Sequence, residues 1–554
     1  MNKKVCSFPI LFALLALLIG TCAVVFPASA QATPTSTGSI TVSGTVASSY
    51  DAYQIFSANV VDGDSDAKIA TDLAWASDAV RDAALPVLHS AGMPNSQTTA
   101  QEAAEWLNTD SHLTSALSAQ LARSLQSSGA KSVALNAGAA TELPCGYWLI
   151  VADDDAIAQG EAGTAPIMAL VGGSAVTVKP KAATPKVAKH VLEDSTDAWQ
   201  KAADATVADD LYWRLSATVP AGLTAYDTYT VRFVDTMGAG LDLSKVAASM
   251  RVYVAAGADG GFDAVSAGKD GRAGTEPAKG WTDITAQCKV SVDGNTFTVR
   301  TGDLIAALGG ADAFTAGARV VAVYNAPLNS ACNHGIAKGN PNEAYLRYPR
   351  SPFADQSGDA GFTRTPSDDA CAYTWDLALT KRGSDGDKPL AGAVLSIADD
   401  RGRTLAADGT WDAEGKATVA TGEDGRVTVS GVDSGKLEVR ELKAPKGYTA
   451  FEGTRSVTVK AEGLDVDQVA AAKPKLTITA ESPLRADSAD GSTGSLEASL
   501  INTPTGTPPS ITTGGFMPST GDMAMYAAAA AAVAGAALIV VALLVKRGGG
   551  SHKE

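Results

Sequence analysis

Apolar residues fall on alternate positions through most of this chain, and the few places where the alternation fails are informative. Residues 39–61, SITVSGTVASSYDAYQIFSANVV, alternate as half-buried strands do, and LPCGYWLIVAD and SAVTVKPK repeat the pattern further on. Between them, residues 98–128 carry a helical period, with Thr98 and Gln101 at capping-box spacing, so a helix is expected there. Beyond residue 183, short alternating segments are separated by Gly, Asp and Pro turns, and only the segment 303–308 reads as helix. Two apolar runs fit neither period. Residues 8–25 follow Lys3 and Lys4 and precede Ala28-Ser29-Ala30, the layout of a secretory signal peptide ending at residue 30. Residues 523–545 are long enough to cross a bilayer as a helix of about 20 residues, and Lys546 with Arg547 follows as a positive cytoplasmic stop.

Breaks in composition divide what lies between. The proline-interrupted KPKAATPK separates residues 39–180 from the strand-rich remainder, which divides again near Asp376 into 183–372 and 373–504; residues 505–554 hold the C-terminal run and its basic tail. The expected fold class is mainly β: tandem Ig-like β-sandwiches behind an N-terminal α+β domain, plus the signal peptide and a C-terminal transmembrane helix.

Charge and cysteine usage narrow the function. The formal net charge is −16 with no basic stripe, which argues against nucleic acid as a partner. Of six cysteines, Cys6 and Cys22 belong to the signal peptide. Cys145, Cys288, Cys332 and Cys371 remain, and an oxidising exterior lets them pair in any of three ways; Cys332 and Cys371, flanking one irregular stretch, are the preferred disulfide. None sits in a CxxC or near a histidine at ligand spacing, so neither a zinc site nor a Cys/His nucleophile is expected, and no cofactor or metal is assigned. Asp62, Asp64 and Asp66 alternate as in a calcium loop, but Leu73 at the twelfth position cannot ligate the ion, which leaves a solvated acidic turn.

Specific motifs carry more. Met517-Pro518-Ser519-Thr520-Gly521, just before the C-terminal apolar run, resembles the sorting signal of Gram-positive surface proteins, leucine-proline-any-threonine-glycine, with Met517 in place of leucine. YDAYQIF and VTVKPK in the first part, TPKVAKHV, WRLSATVPAGLTAYDTYTVRFVDTMGAGL and NEAYLRYPRSP in the second, and LALTKRGSDGDKPLAGAVLSI, TGEDGRVTVSGV and VRELKAPKGY in the third complete the pattern. Together they resemble a sortase-assembled backbone pilin of Gram-positive bacteria, with a fimbrial second domain and a collagen-adhesin B-type third domain containing an E-box. Two positions depart: Lys179 stands where the pilin motif has tyrosine, and Arg350 where the family usually has asparagine. The resemblance implies a secreted, wall-anchored structural protein that turns over nothing. Sortase would cut after Thr520 and join it to Lys181 of another copy in a head-to-tail polymer, or to peptidoglycan at the base. Accessory pilins and a host surface are the further partners it implies. A monomeric wall-anchored adhesin or accessory pilin is the rival, and it needs the sorting signal but not Lys181.

The resemblance also implies spontaneous isopeptide bonds, in which a buried lysine amine attacks an asparagine carboxamide while a carboxyl group shuttles the proton. All three groups must then face the core, and strand parity tests this. Leu377, Leu379 and Lys381 share one face; so do Leu437, Val439 and Glu441, and Leu496, Ala498, Leu500 and Asn502. Each row is apolar and ends in the polar group, which is costly unless the groups satisfy one another. The second part repeats the logic with Val187, Lys189 and Val191, with Val231, Phe233 and Asp235, and with Asn342, Ala344, Leu346 and Tyr348. Lys189 is therefore assigned as nucleophile, Asp235 as shuttle and Asn342 as acceptor, with Asn329 in reserve for the last role.

Overall fold

The computed structural model describes residues 36–506, apart from 65–66, 110, 164, 181–183, 258–260, 263–264, 268–272 and 315. The signal peptide, Lys181, the Met517–Gly521 motif with Thr520, and the C-terminal apolar run lie outside the described residues. Among those described, no helix is long and apolar enough to cross a membrane.

Mainly β architecture is what the alternation predicts and what forms, and among the described residues every helix longer than four residues lies in the N-terminal part. There the long strand Ser49–Asp62 pairs with Lys68–Trp75, Val133–Asn136 and Gly146–Ala152, and the last of these pairs with Ile167–Val171. A smaller sheet places Thr37–Val42 between Ala140–Pro144 and Val176–Val178. Because strand side chains alternate, Ser49–Asp62 feeds two cores: Tyr53 and Ile55 pack on the helices, and Tyr50 and Ala52 pack with Ile40, Trp148 and Ile150.

The helices differ from the expected single run. Residues 98–128 form two, Ala100–Asn108 and Ser115–Ser128, each begun by a threonine cap, Thr99 and Thr114. The capping box sits one residue later than the spacing predicts, with Thr99 Oγ1 accepting from Glu102 N at 3.2 Å and Glu102 Oε2 accepting from Thr99 N at 3.0 Å. A third helix, Asp78–Ser90, capped by Ser77, was not expected.

From residue 186 onward, two pairs of facing sheets form. In the first pair, one sheet runs Ala198–Gln200, Lys186–Glu193, Tyr212–Val219, Ala318–Asn325, Arg251–Ala256, Thr282–Asp283. The other runs Ala202–Asp204, Asp368–Tyr373, Asn340–Pro349, Arg232–Met237, Thr296–Arg300, Lys289–Asp293. Trp213, Leu215, Val320 and Ala322 from the first meet Phe233, Phe297, Val299 and Leu346 from the second in one core.

The next core lies between a sheet built on Trp375–Gly383 and Ser495–Pro504 and another built on Val394–Ala398, Gly435–Lys443 and Thr454–Glu462. Asp204 ties it to the preceding one. Its Oδ2 accepts from Trp375 Nε1 at 2.6 Å and from Ser434 N at 2.9 Å, while its own N–H donates to Glu193 Oε2 at 3.1 Å.

Two buried lysine, carboxyl and carboxamide clusters

In the core between the first pair of facing sheets, the second core, four polar side chains come together; the core that follows it is the third. Lys186–Glu193 and Ala318–Asn325 flank Tyr212–Val219 in one sheet and supply Lys189 and Tyr324. Arg232–Met237 and Asn340–Pro349 are antiparallel neighbours in the facing sheet and supply Asp235 and Asn342. Their register sets Asp235 opposite Ala344, so Asn342 stands two positions further along on the same face.

Lys189, Asp235, Tyr324 and Asn342 are each 0% exposed. Lys189 Nζ donates to Asp235 Oδ2 and, at 2.8 Å, to the Tyr324 hydroxyl. Tyr324 OH donates to Asp235 Oδ2 at 2.7 Å, and Asn342 Nδ2 donates to Tyr324 OH at 3.0 Å. The rings of Trp213 and Tyr324 each lie 5.4 Å from the amine, and Phe297 packs edge-on against Tyr324 with centroids 4.9 Å apart.

Burial pushes the Lys189 amine down, with the Asp235 charge opposing, and burial pushes the Asp235 carboxyl up. Both directions favour a neutral amine beside a neutral acid. The oxygens Asp235 Oδ1 and Asn342 Oδ1 have no hydrogen-bond partner, and each such buried acceptor costs roughly 1–3 kcal/mol.

The third core builds its cluster differently. Trp375–Gly383 lies parallel to Ser495–Pro504, with Lys381 beside Leu500 and Gly383 beside Asn502, and Glu441 arrives from Gly435–Lys443 in the facing sheet. Asn502 Nδ2 donates to both Glu441 oxygens, at 2.8 and 3.0 Å. Lys381 Nζ stands 3.6 Å from Glu441 Oε1 and donates to Leu500 O at 3.2 Å. The second Glu441 oxygen also accepts from Phe451 N at 3.1 Å. Burial pushes the Lys381 amine down to about 8, against the pull of Glu441. Asn502 Oδ1, like its counterpart in the second core, has no partner.

In a dry site, Glu441 can exchange protons with both nitrogens directly, Asp235 touches the amide only through the Tyr324 hydroxyl, and a neutral amine in either place is a nucleophile. Asn329 is engaged elsewhere: its Nδ2 donates to Ala239 O and Leu241 O, at 2.9 and 3.1 Å.

The expected Cys332–Cys371 disulfide is not formed. Cys371 is buried on Asp368–Tyr373 among residues of the third core, whereas Cys332 is partly buried in the loop before Asn340–Pro349, with its Sγ 3.5 Å from His334 Nε2. Among the described residues, no group of three or more His, Cys, Asp or Glu is placed to hold a metal. Tyr324 was missed by sequence reasoning. Its signal was the inward row Val320, Ala322 and Tyr324 in RVVAVYN, which ends in a hydroxyl as the lysine and carboxyl rows end in charges.

Residues 376–473 match a family model described as "SpaA: Prealbumin-like fold domain". A stretch of 143 residues is 30% identical to the "Trypsin-resistant surface T6 protein" of Streptococcus pyogenes serotype M6, covering 24% of this chain and 24% of that protein. The chain thus spans about a quarter of the curated relative it matches. Among solved structures, it is similar to the T6 backbone pilin of serotype M6 Streptococcus pyogenes, at 17% identity over 86% of this chain and 100% of that one with a TM-score of 0.45. It is also similar to the full-length major pilin SpaD from Corynebacterium diphtheriae, at 16% identity over 84% of this chain and 97% of that one with a TM-score of 0.40.

Proposed function

We propose that the chain is a structural shaft subunit of a covalently assembled cell-surface pilus, stiffened by isopeptide bonds joining Lys381 to Asn502 and Lys189 to Asn342. One observation carries the reading: in each of two separate cores, a fully buried lysine amine stands against an acid that is linked to a carboxamide, directly for Glu441 and through the Tyr324 hydroxyl for Asp235. A stability role alone accounts poorly for this, because isolated charges buried in a core cost several kcal/mol each and well-packed apolar residues of similar volume usually serve as well.

In the reaction, the amine attacks Cγ of the asparagine, the new C–N bond forms as the old one breaks, and ammonia leaves. Glu441 and Asp235 shuttle the proton. At the polymer level, sortase reads Met517 to Gly521, forms an acyl bond to Thr520, and passes it to Lys181 of the next copy or, at the base, to peptidoglycan. Lys181 beside Pro180 suits the acceptor role, since an attacking amine must reach an external enzyme.

Intact-mass measurement of the folded protein tests the bonds: each condensation lowers the mass by about 17 Da, the mass of one ammonia. Two losses are expected, and Glu441→Ala should abolish one of them. A folded protein at full sequence mass defeats the reading.

A further inference from the structure

The two clusters differ in how the acid meets the amide. In the third core, both oxygens of Glu441 accept directly from Asn502 Nδ2. In the second core, the acid is one methylene shorter and stands diagonally across the strand pair from Asn342. Asp235 Oδ2 receives Lys189 and Tyr324, Asp235 Oδ1 has no partner, and the amide nitrogen of Asn342 is bonded to Tyr324 OH instead. The single oxygen of Tyr324 therefore touches the attacking nitrogen, the acid and the departing nitrogen. Its ring is held by Phe297 and the surrounding core, so the hydroxyl has little freedom to point elsewhere.

We propose that Tyr324 is a catalytic residue of the second-core bond, relaying to Asn342 Nδ2 a proton from Asp235, which Lys189 restores. The inference rests on the isopeptide reading above. As Lys189 Nζ bonds to Cγ of Asn342, the amide nitrogen loses its resonance with the carbonyl and gains a lone pair, turning from donor to acceptor. Tyr324 O–H gives its proton to Nδ2 and takes one from neutral Asp235, and the carboxylate so formed takes at Oδ2 the proton that Lys189 loses. The Cγ–Nδ2 bond breaks, ammonia leaves, and both Tyr324 and Asp235 end as they began, with no oxidant or co-reactant required. The third core needs no such relay because its glutamate reaches the amide unaided.

Tyr324→Phe keeps the ring and removes only the relay. Time-resolved peptide mapping after refolding should show the Lys189–Asn342 crosslink forming about 100-fold more slowly or not at all, the usual scale for loss of a positioned proton donor. The Lys381–Asn502 crosslink should form at its normal rate in the same molecule, which reports that the variant folds. Asp235→Glu added to Tyr324→Phe should restore the second-core crosslink by giving the acid the reach it has in the third core. Wild-type rate in Tyr324→Phe overturns the relay while leaving the bond reading intact, and so does a slow Tyr324→Phe that Asp235→Glu fails to rescue. Wild-type protein without a Lys189–Asn342 peptide overturns the bond reading itself and this inference with it.

Discussion

Lys381 shows at the scale of one residue what the surrounding core demands. The Lys381 amine, ordinarily 10.5, is pushed to about 8 by burial, so between those values the folded chain holds this proton less tightly than the unfolded one. Stability linked to it is full above about 10.5 and is lost as pH falls through about 8, a penalty of roughly 3 kcal/mol near neutrality by linkage. An amide-bonded lysine cannot titrate. Asn502→Ala, which leaves the amine free, should therefore melt below wild type at pH 7, and the gap should narrow by pH 10; a gap independent of pH would show that the wild-type amine is free as well. Lys381, Glu441 and Asn502 were legible because each closes an otherwise apolar inward row. Tyr324 was not, since an aromatic ring at an inward position reads as ordinary core and only the facing sheet reveals what its hydroxyl touches.

At the scale of elements, local sequence predicts strands well and their partners poorly. Alternation marks Trp375–Gly383 and Ser495–Pro504 as strands, but nothing local says that they lie side by side and parallel, or that Lys189 and Asn342 come from opposite sheets. Nor is the Asn342 strand the last of its sandwich, since Phe362–Arg364 and Asp368–Tyr373 follow it. The helix Asp78–Ser90 escaped notice because Pro86 interrupts it and two of its four buried residues are alanines, too weakly apolar to print a period. Gly146 shows how a strand can depend on one residue: its φ is +141°, and a Cβ there would lie 2.0 Å from Phe56 O, beside the irregularity at residues 54–56 of the partner strand. Gly146→Ala should destabilise the N-terminal part by about 2 kcal/mol or more, read by thermal melting, while both crosslinks persist. Ordinary melting of the variant would mean the partner strand shifts freely.

At the scale of the whole molecule, the two bonds would do different mechanical work. Lys381–Asn502 would clamp neighbouring strands of one sheet, whereas Lys189–Asn342 would staple one sheet to the sheet facing it. If Thr520 is joined to Lys181 of the next copy, the pull between successive links passes through both of these cores and bypasses residues 39–180. Cell-wall digests should then give an SDS-resistant ladder that disappears in Lys181→Ala while wall-anchored monomer remains. A ladder lost in Lys179→Ala or Lys186→Ala instead would move the junction to that lysine, and monomer alone in wild type would favour an adhesin.

The parallel pairing of Trp375–Gly383 with Ser495–Pro504 also sets a timetable. Lys381 and the Leu500 carbonyl that it meets are 119 positions apart, so in a chain appearing N-terminus first the edge of Trp375–Gly383 that receives Ser495–Pro504 stays unpaired until almost the last of that core has emerged. Half a sandwich gives the opening strand one neighbour, Arg426–Val432, and leaves its other edge unpaired. The strand that completes the sheet is the one that carries Asn502, so closure and locking arrive with the same few residues. A chain cut short before them can neither close nor lock, and the topology itself then separates finished copies from unfinished ones.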